Sequence, residues 1–392
     1  MKAKDWIKLS PVLLKSLLKL PLPQNIYMAK LLRCENPHRH GGRLYINTFF
    51  PPYPSEAFGR FMQAVYDRRR VPFSTYFAVT DKCPYKCGHC SYGNHKKGQL
   101  STAEAIRVVE QIKSVGTVTI GFTGGEPLLR GDIAALVRQA GGSVSKVLFT
   151  TGYNLDAALA GELKDAGLDA MMIGIESDDE QTHDGTRGAG GSFRQALKAI
   201  ETSRQAGIYT GISTVATKDK LQNGTIRRLA ATAGQWGASE FRILEPVPTG
   251  SLSGQTGQLL AAGQSRQLAD FHKQWNKAGK GAAVSCFSHL ESDEAFGCGA
   301  GFHHLFIDAL GNVCPCDLTP LSFGNALEES LAAIWGRMEK HFAQPRCGCL
   351  MSELAPNLGL EGQTLPLEPQ KSGQICEMYK KTSPLPQAFK RL

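Results

Sequence analysis

The chain has 392 residues, a formal net charge of +9 at pH 7, 42% hydrophobic residues and 20% charged residues. This length exceeds the size at which one hydrophobic core usually stops growing, so we expect two domains or one elaborated barrel. The composition excludes a disordered or collagen-like chain, and no apolar run approaches the roughly 20 residues that span a bilayer. Basic residues are scattered and form no stripe with aromatic residues between them, so we expect no nucleic-acid partner.

The cysteine content indicates metal binding. The eleven cysteines are an odd total, and the sequence shows no cleavable signal, so we expect a cytoplasmic protein whose thiols bind metal and form no disulfide framework. Three cysteines occupy positions 83, 87 and 90, and seven fall in the last third of the chain. This distribution predicts two metal-binding regions.

The first predicted element is a short basic amphipathic helix at about residues 11–20, with Ser10 as its N-cap and Pro11 at its first position. Lysines recur on one helical face, at Lys4, Lys8, Lys15 and Lys19. Such a face can lie on a membrane surface or dock on the rest of the protein, and both alternatives stay open. Peripheral membrane contact through residues 1–20 is therefore one hypothesis for an N-terminal extension that covers residues 1–72.

From residue 73 onward, apolar and β-branched runs alternate with helical patterns. The predicted strands are 76–80, 117–122, 146–152, 170–177, 208–217 and 240–246, and the predicted helices between them are 101–114, 132–140, 155–166, 192–206 and 223–236. These units predict an α/β protein whose core, residues 73–255, is a partial (β/α)6 TIM-like barrel, because a closed barrel of the usual kind needs eight strands. A helical linker at 256–295 is expected to follow.

Unusual residues follow the predicted strands at their carboxyl ends, where chemistry collects in parallel sheets. The triple cysteine follows the first strand. The others are Gly124, Gly125 and Glu126 after the second strand, Thr151 after the third, and Glu176 and Ser177 after the fourth. One mouth of the barrel should gather all of them.

The spacing of Cys83, Cys87 and Cys90 leaves gaps of three and then two residues. Three thiolates can bind zinc or an iron–sulfur cluster, since sulfur ligands suit both. A structural zinc ion needs four protein ligands and usually draws them from closely spaced pairs. His89 lies inside the motif and cannot easily turn to the same metal, so a cluster with one iron open to a substrate is favoured.

With the run GGEPLL at 124–129, this cysteine motif resembles the radical S-adenosylmethionine superfamily, and the similarity spans about 73–250. The resemblance implies a 4Fe–4S cluster, bound S-adenosylmethionine, and a 5′-deoxyadenosyl radical that abstracts hydrogen from a substrate. It also implies a ferredoxin- or flavodoxin-like electron donor. Three positions depart from the family pattern: His89 where an aromatic residue is usual, Thr151 where Asn is usual, and Gly174 where Ser is common.

The resemblance also implies a role for each matched residue. Cys83, Cys87 and Cys90 would hold the cluster, whose fourth iron would bind the methionine part of S-adenosylmethionine. The remaining cofactor-binding residues would be Gly124, Gly125, Glu126, Thr151, Glu176, Ser177 and Arg187. Among these, the two glycines would expose backbone to the methionine amine, Glu176 and Ser177 would lie near the ribose, and Arg187 would pair with the methionine carboxylate.

The C-terminal part, residues 296–392, contains Cys298, then twelve residues, Gly311, four residues and Cys316, around a predicted hairpin. This pattern resembles the SPASM or twitch domain that carries auxiliary iron–sulfur clusters in many radical S-adenosylmethionine enzymes. The cysteine pairs that follow are fewer than in the full pattern, so one auxiliary 4Fe–4S cluster is expected. Its candidate ligands are Cys298 and Cys316, with Cys347 or Cys349, and Cys286 as the upstream candidate.

These features support one main hypothesis and two alternatives. The main hypothesis is an enzyme that generates a substrate radical on an unidentified substrate, which the amphipathic N-terminus suggests is hydrophobic or held at a membrane. The first alternative is a peptide-modifying maturase of the same superfamily, of the ribosomal-peptide or sulfatase type. The second belongs to another class: a non-catalytic iron–sulfur electron carrier, or a zinc-stabilised binding module.

Overall fold

The computed structural model describes residues 3–378 and 383–390. Its strands are β1 (His38–His40), β2 (Arg43–Tyr45), β3 (Ser74–Ala78), β4 (Thr119–Thr123), β5 (Ser145–Thr150), β6 (Ala170–Gly174), β7 (Tyr209–Val215), β8 (Glu240–Leu244), β9 (Ala283–Cys286), β10 (His304–Ile307) and β11 (Val313–Cys314). Its helices are α1 (Ala3–Lys19), α2 (Leu22–Leu32), α3 (Glu56–Tyr66), α4 (Thr102–Ser114), α5 (Ile133–Ala140), α6 (Ala157–Asp165), α7 (Glu180–Arg187), α8 (Ser192–Gln205), α9 (Lys218–Gln222), α10 (Thr225–Ala233), α11 (Ala262–Ala278), α12 (Phe287–Leu290), α13 (Leu331–Met338), α14 (Leu350–Leu358) and α15 (Pro369–Met378).

The main sheet is the partial barrel that the sequence predicts. Within the described residues it has nine strands in the order β11-β10-β3-β4-β5-β6-β7-β8-β9. Strands β3 to β9 run parallel in chain order, β10 joins β3 in parallel, and β11 closes a hairpin against β10. The six predicted strands are β3 to β8, and the barrel is not closed, since β9 and β11 lie at opposite ends of this order.

Two four-residue strands extend the sheet beyond the predicted core. Strand β9 lies in the predicted linker and pairs with β8, while β10 comes from the C-terminal part and pairs with β3. Helix α11 is the helical part of that linker. Because the sheet continues across the predicted boundaries at 255 and 296, the parts share one sheet, and the division into four segments stays a prediction.

Helices cover the outer face of the sheet because their apolar residues recur at helical spacing. In α4, the buried residues are Ala105, Val108, Val109 and Ile112, which form one stripe of the helix. Ser101 starts this helix with a capping box: its hydroxyl accepts from Glu104 N–H, and the Glu104 carboxylate accepts from Ser101 N–H.

Large side chains fill the inner side of the barrel. The rings of Tyr45 and Tyr209 stack with centroids 4.1 Å apart. Arg242 is 1% exposed, and its guanidinium donates to Thr48 Oγ1 at 2.6 Å and Tyr76 Oη at 3.1 Å. Tyr209 is the first residue of β7 and Arg242 lies in the middle of β8, so these side chains fill the barrel interior from its amino-terminal end.

The N-terminal extension differs from the prediction in one respect. Helix α1 begins at Ala3 and continues through Pro11, so the predicted start at Ser10 and Pro11 is wrong. Leu9, upstream of the proline, is buried, and this burial favours a longer helix over a start at Pro11. The side chains of residues 1–8, with Lys4 and Lys8 of the predicted cationic face, lie outside the described residues. No helix in the described part of the chain is both long and apolar enough to cross a bilayer.

A buried polar contact ties this extension to the linker. His272 Nε2 lies 3.1 Å from Glu35 Oε1, and Asn47 Nδ2 donates to the other carboxylate oxygen of Glu35 at 3.3 Å. The backbone N–H of Cys286 donates to His272 Nδ1 at 3.2 Å, which places the ring proton on Nε2, facing Glu35. The Glu35 carboxylate therefore accepts hydrogen bonds from His272 and Asn47, and the other ring nitrogen of His272 accepts one from Cys286.

Candidate active site

The loop that carries the three predicted cluster ligands follows β3 and is fixed by backbone hydrogen bonds to two distant segments. Lys86 N–H donates to the carbonyl of Arg187 at 3.0 Å, and Ser251 N–H donates to the carbonyl of Cys90 at 2.9 Å. A Cβ on Gly250 would lie 2.3 Å from the Cys90 carbonyl oxygen, so only glycine permits this approach. The loop is thus held between the end of α7 and the segment after β8.

The thiols of Cys83, Cys87 and Cys90 converge. Burial raises the pKa of the Cys83 thiol to about 11, and the Glu126 carboxylate and the other two thiols add to the rise. Among the described residues, the three thiols are not among the groups whose donor atoms all lie within 4.8 Å of one another. Ligands of one tetrahedral zinc ion lie closer, with sulfur atoms about 3.8 Å apart for a Zn–S bond of 2.3 Å. The donor set therefore fits an iron–sulfur cluster better than a single zinc ion.

The predicted glycine pair lies directly against the cysteine loop. Gly125 N–H donates to the carbonyl of Thr80 at 2.8 Å, and Glu126 N–H donates to the carbonyl of Lys82 at 2.7 Å. A Cβ on Gly124 would lie 2.4 Å from the Thr80 oxygen, and one on Gly125 would lie 2.2 Å from the Lys82 oxygen. Both positions therefore require glycine for the contact between the two loops.

The Glu126 side chain is fully buried and points to the end of β5. Its carboxylate accepts hydrogen bonds from Thr150 Oγ1 at 2.6 Å, Thr151 N–H at 2.7 Å and Leu128 N–H at 2.9 Å. Burial raises its pKa, although these hydrogen bonds oppose the rise. Protein donors thus engage both oxygens, and Glu126 positions Thr151 beside the cysteine loop.

Glu176 is the centre of a buried ionic cluster. Its carboxylate lies 2.6 Å from Lys220 Nζ, 3.1 Å from Arg187 Nη2 and 3.2 Å from His89 Nε2. Burial alone would raise its pKa, but Lys220, His89 and Arg187 together hold the pKa well below its usual range. His89 thus makes a polar contact at the position where an aromatic residue is usual. Lys220 is a site residue that no sequence motif indicates.

Arg187 connects this ionic cluster to the thiols. Its Nη1 donates to Cys87 Sγ at 3.4 Å, and among the described residues its buried Nε has no hydrogen-bond partner. A Cβ on Gly174 would lie 2.2 Å from Arg187 Nη2, which explains why glycine replaces the serine that is common there. Ser177 lies nearby and is buried, with its hydroxyl accepting from Asp179 N–H at 3.1 Å.

A second group of thiols borders a cavity whose lining includes none of the three cysteine-loop thiols. Cys298, Cys316 and Cys349 border a cavity of about 290 Å³ whose walls are mostly apolar. Burial, followed by the neighbouring Cys349 and Glu291, raises the pKa of the Cys298 thiol to about 12. Cys298 also adds to the raised pKa of Cys316. The structure thus brings together three of the five predicted auxiliary ligands.

The other two predicted ligands lie elsewhere. Cys286 is buried at the end of β9, beside the His272 ring. Cys347 lies near Asp293, and burial, followed by that carboxylate, raises the pKa of its thiol to about 11. Neither residue borders the cavity, so their ligand roles stay predictions. Cys314 packs against Ala78 and Phe306 inside the barrel.

Two segments of the chain, one in the core and one in the C-terminal part, match known protein-family models. Residues 77–220 match the model of the Radical SAM superfamily, and residues 298–350 match SPASM, an iron–sulfur cluster-binding domain. The chain belongs to the radical S-adenosylmethionine superfamily. As a SPASM-containing member, it uses a 4Fe–4S cluster and S-adenosylmethionine in its core domain and binds auxiliary iron–sulfur cofactors in its C-terminal domain.

Relatives of this radical S-adenosylmethionine protein act on different substrates. An AdoMet-dependent heme synthase from Oleidesulfovibrio alaskensis is 29% identical over 294 residues, which cover 68% of this chain and 75% of the relative. The mycofactocin maturase MftC of Mycolicibacterium smegmatis is 28% identical over 328 residues, covering 74% and 81%. The structure of SuiB from Streptococcus suis, bound to precursor peptide SuiA, superposes with a TM-score of 0.58 at 16% identity over 71% of this chain and 67% of SuiB. The similarity to SuiB, at 16% identity, shows a shared fold alone.

Proposed function

We propose that this enzyme cleaves S-adenosylmethionine reductively at a 4Fe–4S cluster held by Cys83, Cys87 and Cys90, and that the resulting 5′-deoxyadenosyl radical abstracts hydrogen from a substrate. The observation that carries the proposal is the convergence of these thiols, with Arg187 donating to Cys87, at the carboxyl ends of parallel strands. When bound, the cluster supplies the electron that breaks the sulfonium bond.

The protein's own groups position S-adenosylmethionine and exclude water. The Arg187 guanidinium offers a planar fork that suits the methionine carboxylate, while Lys220 compensates the Glu176 carboxylate when Arg187 turns toward its ligand. Gly124 and Gly125 present backbone without side chains to the methionine amine. Thr151, Glu176 and Ser177 are assigned to the adenosine side, since they end the adjoining strands.

The auxiliary site is assigned one 4Fe–4S cluster, with Cys298, Cys316 and Cys349 as ligands. The role assigned to this cluster is to take up an electron or to contact substrate. A ferredoxin- or flavodoxin-like protein is the proposed electron donor, because the first cluster must be reduced before each cleavage.

A hydrophobic substrate is proposed on two observations. The first two helices expose large apolar side chains to solvent, and the AdoMet-dependent heme synthase relatives are named for heme, a largely apolar macrocycle. A peptide is the second candidate, since the PqqA peptide cyclase and MftC relatives are named as a peptide cyclase and a maturase. Release of 5′-deoxyadenosine should rise when a tetrapyrrole precursor of heme is added, and a rise with a peptide alone would favour the second candidate.

Contact with a membrane from the cytoplasmic side is proposed for the first two helices. Leu14, Leu17 and Leu18 on α1 are large apolar side chains exposed to solvent, as are Leu22 and Ile26 on α2. The triple variant Leu14→Ser/Leu17→Ser/Leu18→Ser should pellet less with anionic lipid vesicles than the wild type. Met378→Ser, which alters an exposed apolar residue elsewhere, is the matched control. Equal pelleting of the triple variant and the wild type would remove this part of the proposal.

The central experiment for the proposed function measures products. Anaerobically reconstituted protein, given dithionite and S-adenosylmethionine, should release 5′-deoxyadenosine and methionine. The variant Cys83→Ala/Cys87→Ala/Cys90→Ala should release neither. An electron carrier or a zinc module would give no product with the wild type either, and that result would contradict the proposal.

A further inference from the structure

The auxiliary site offers three thiols, whereas a 4Fe–4S cluster takes one protein ligand on each of four irons. Cys298, Cys316 and Cys349 border one cavity. Cys286 lies beside the His272 ring, and Cys347 lies near Asp293, so neither completes the set from its place in the structure. A fourth donor must therefore be sought among the other polar groups around the cavity.

Glu291 occupies the suitable place. It caps the carboxyl end of α12 through its backbone N–H, which donates to the Phe287 carbonyl at 2.8 Å, and its side chain borders the same cavity as the three thiols. Within the described residues, no hydrogen bond to its carboxyl group is found.

Two other carboxylates border the cavity, Glu35 and Asp317, and both are already engaged. Glu35 contacts His272 Nε2 and accepts from Asn47 Nδ2. Asp317 Oδ1 lies 3.3 Å from His304 Nε2 and accepts from the Cys316 thiol at 3.4 Å. These contacts hold Asp317 beside Cys316 and His304, so Glu291 is the cavity carboxylate for which no side-chain hydrogen bond is found within the described residues. Asp317 is therefore a neighbour of the site whose carboxylate serves as a hydrogen-bond acceptor.

We propose that Glu291 is the fourth ligand of the auxiliary cluster, with one carboxylate oxygen bound to the iron that the three cysteines leave free. This inference rests on the auxiliary cluster of the proposed function. The carboxyl group binds as the carboxylate, its proton passes to solvent, and no electron is transferred in this step. Oxygen is a harder ligand than thiolate, so this iron should differ from the other three in its spectrum and in the ease of ligand exchange.

The test uses the full-length protein with Cys83→Ala, Cys87→Ala and Cys90→Ala, so that the auxiliary cluster is the one observed. Iron and sulfide counts, Mössbauer spectra and the reduction potential are compared with and without Glu291→Gln. We expect Glu291→Gln to lose the distinct iron, so that about four irons per cluster become about three, and to shift the potential. Glu291→Cys should restore about four irons with a thiolate-type spectrum.

Three further variants separate this inference from its competitors. Asp317→Asn, Cys286→Ala and Cys347→Ala should keep the parent iron count and spectrum. The inference is overturned if Glu291→Gln and Glu291→Cys both retain the parent spectrum and potential, or if Cys286→Ala or Cys347→Ala loses the distinct iron instead. Absence of any cluster in the parent protein would contradict the auxiliary cluster itself, so failure of the inference and failure of the proposed function are distinguishable.

Discussion

At the scale of single residues, the arrangement of Arg187 and Glu176 explains several features of the sequence together. Both residues were predicted to contact S-adenosylmethionine, and the structure pairs them at 3.1 Å. Arg187 also reaches Cys87, and its position leaves room only for glycine at 174. The departure from serine at that position is thus a consequence of the arginine side chain.

Restoring the serine should therefore disturb the site. In Gly174→Ser, the new Cβ would overlap Arg187 Nη2 and displace the guanidinium from Glu176 and Cys87. Loss of a charge-assisted hydrogen bond of about 2 kcal/mol predicts a rise of tenfold or more in the S-adenosylmethionine concentration needed for half-maximal cleavage. Gly161→Ser, at a helical glycine with open space around it, is the control, and equal kinetics in the two variants would refute the prediction.

Lys220 provides a second residue-level prediction. Lys220→Met removes the nearest cation from the buried Glu176 carboxylate, so the pKa of Glu176 should rise and the free energy of unfolding should fall by about 3 kcal/mol. Urea denaturation measures the loss. Lys218→Met, on the same helix but with its amine on the exposed Gly257 carbonyl, should cost far less, and a similar loss in both variants would count against a buried ion pair.

The residue types at the site could be predicted, but many of their contacts could not. Cys83, Cys87, Cys90 and the glycine pair form a local pattern that a single segment displays. Glu176 follows β6, and Lys220 lies in α9, which follows β7. Their contact depends on the lengths of these two strands and of the loops after them, which residue spacing does not determine. Glu291 was missed for the same reason, since an isolated glutamate near a cysteine-rich segment carries no signal of its own.

At the scale of elements, the cysteine loop is positioned by the segments on either side. The loop after β4 supports its beginning, and the Gly250 segment after β8 supports its end. This arrangement follows from the parallel order of the strands, since the carboxyl ends of β4 and β8 face the same mouth as that of β3.

Gly250→Ala tests the support at the end of the loop. Gly250 has φ of +56° and Gly279 has φ of +65°, so alanine at either position incurs a backbone cost of about 1 kcal/mol. Only at Gly250 would the Cβ also strike the Cys90 carbonyl, because Gly279 faces open space. We expect Gly250→Ala to lower the iron content of the first site and Gly279→Ala to leave it unchanged; a parallel loss in both would show that φ alone matters.

The elements themselves were predicted with uneven success. The strands β3 to β8 are confirmed because each is a β-branched or apolar run bounded by turn residues and separated by a helical pattern. Strands β9 and β10 join the same sheet with four residues each, too few to show a period. Each becomes a strand by pairing with a distant strand, β9 with β8 and β10 with β3. Neither segment's own sequence indicates that partner.

At the scale of the whole molecule, buried histidines link stability to pH. His289 is buried, and among the described residues neither ring nitrogen has a hydrogen-bond partner. Burial, followed by the neighbouring His272 and Lys273, lowers its pKa to about 3. Below the unfolded pKa of about 6.5, the unfolded chain binds a proton that the folded protein does not, so stability falls as the pH decreases toward 3.

The variant His289→Leu should remove this dependence. Between pH 6.5 and 5.5 the wild type should lose about 1 kcal/mol more than the variant, because the unfolded histidine goes from about half protonated to almost fully protonated. Urea unfolding at pH 8 serves as the internal reference, because histidine is neutral there in both states. Parallel stability curves for the two proteins across this range would rule out His289 as the cause.

The existence of two metal-binding regions could be predicted, whereas their placement relative to each other could not. Cysteine spacing indicated two metal regions and assigned each to its segment of the chain. The packed side chains of Tyr45, Tyr209 and Arg242 come from three separate segments, which meet only when the barrel forms. The cavity beside the auxiliary thiols likewise combines the N-terminal helices with the C-terminal part.

The most direct measurement is electron paramagnetic resonance of the reduced protein with and without S-adenosylmethionine. It should be made on Cys298→Ala/Cys316→Ala/Cys349→Ala, so that signals from the auxiliary site are removed. A reduced 4Fe–4S signal that changes shape when S-adenosylmethionine is added is the result we expect. No signal, or one that is indifferent to S-adenosylmethionine, would contradict a cluster with an open iron on Cys83, Cys87 and Cys90.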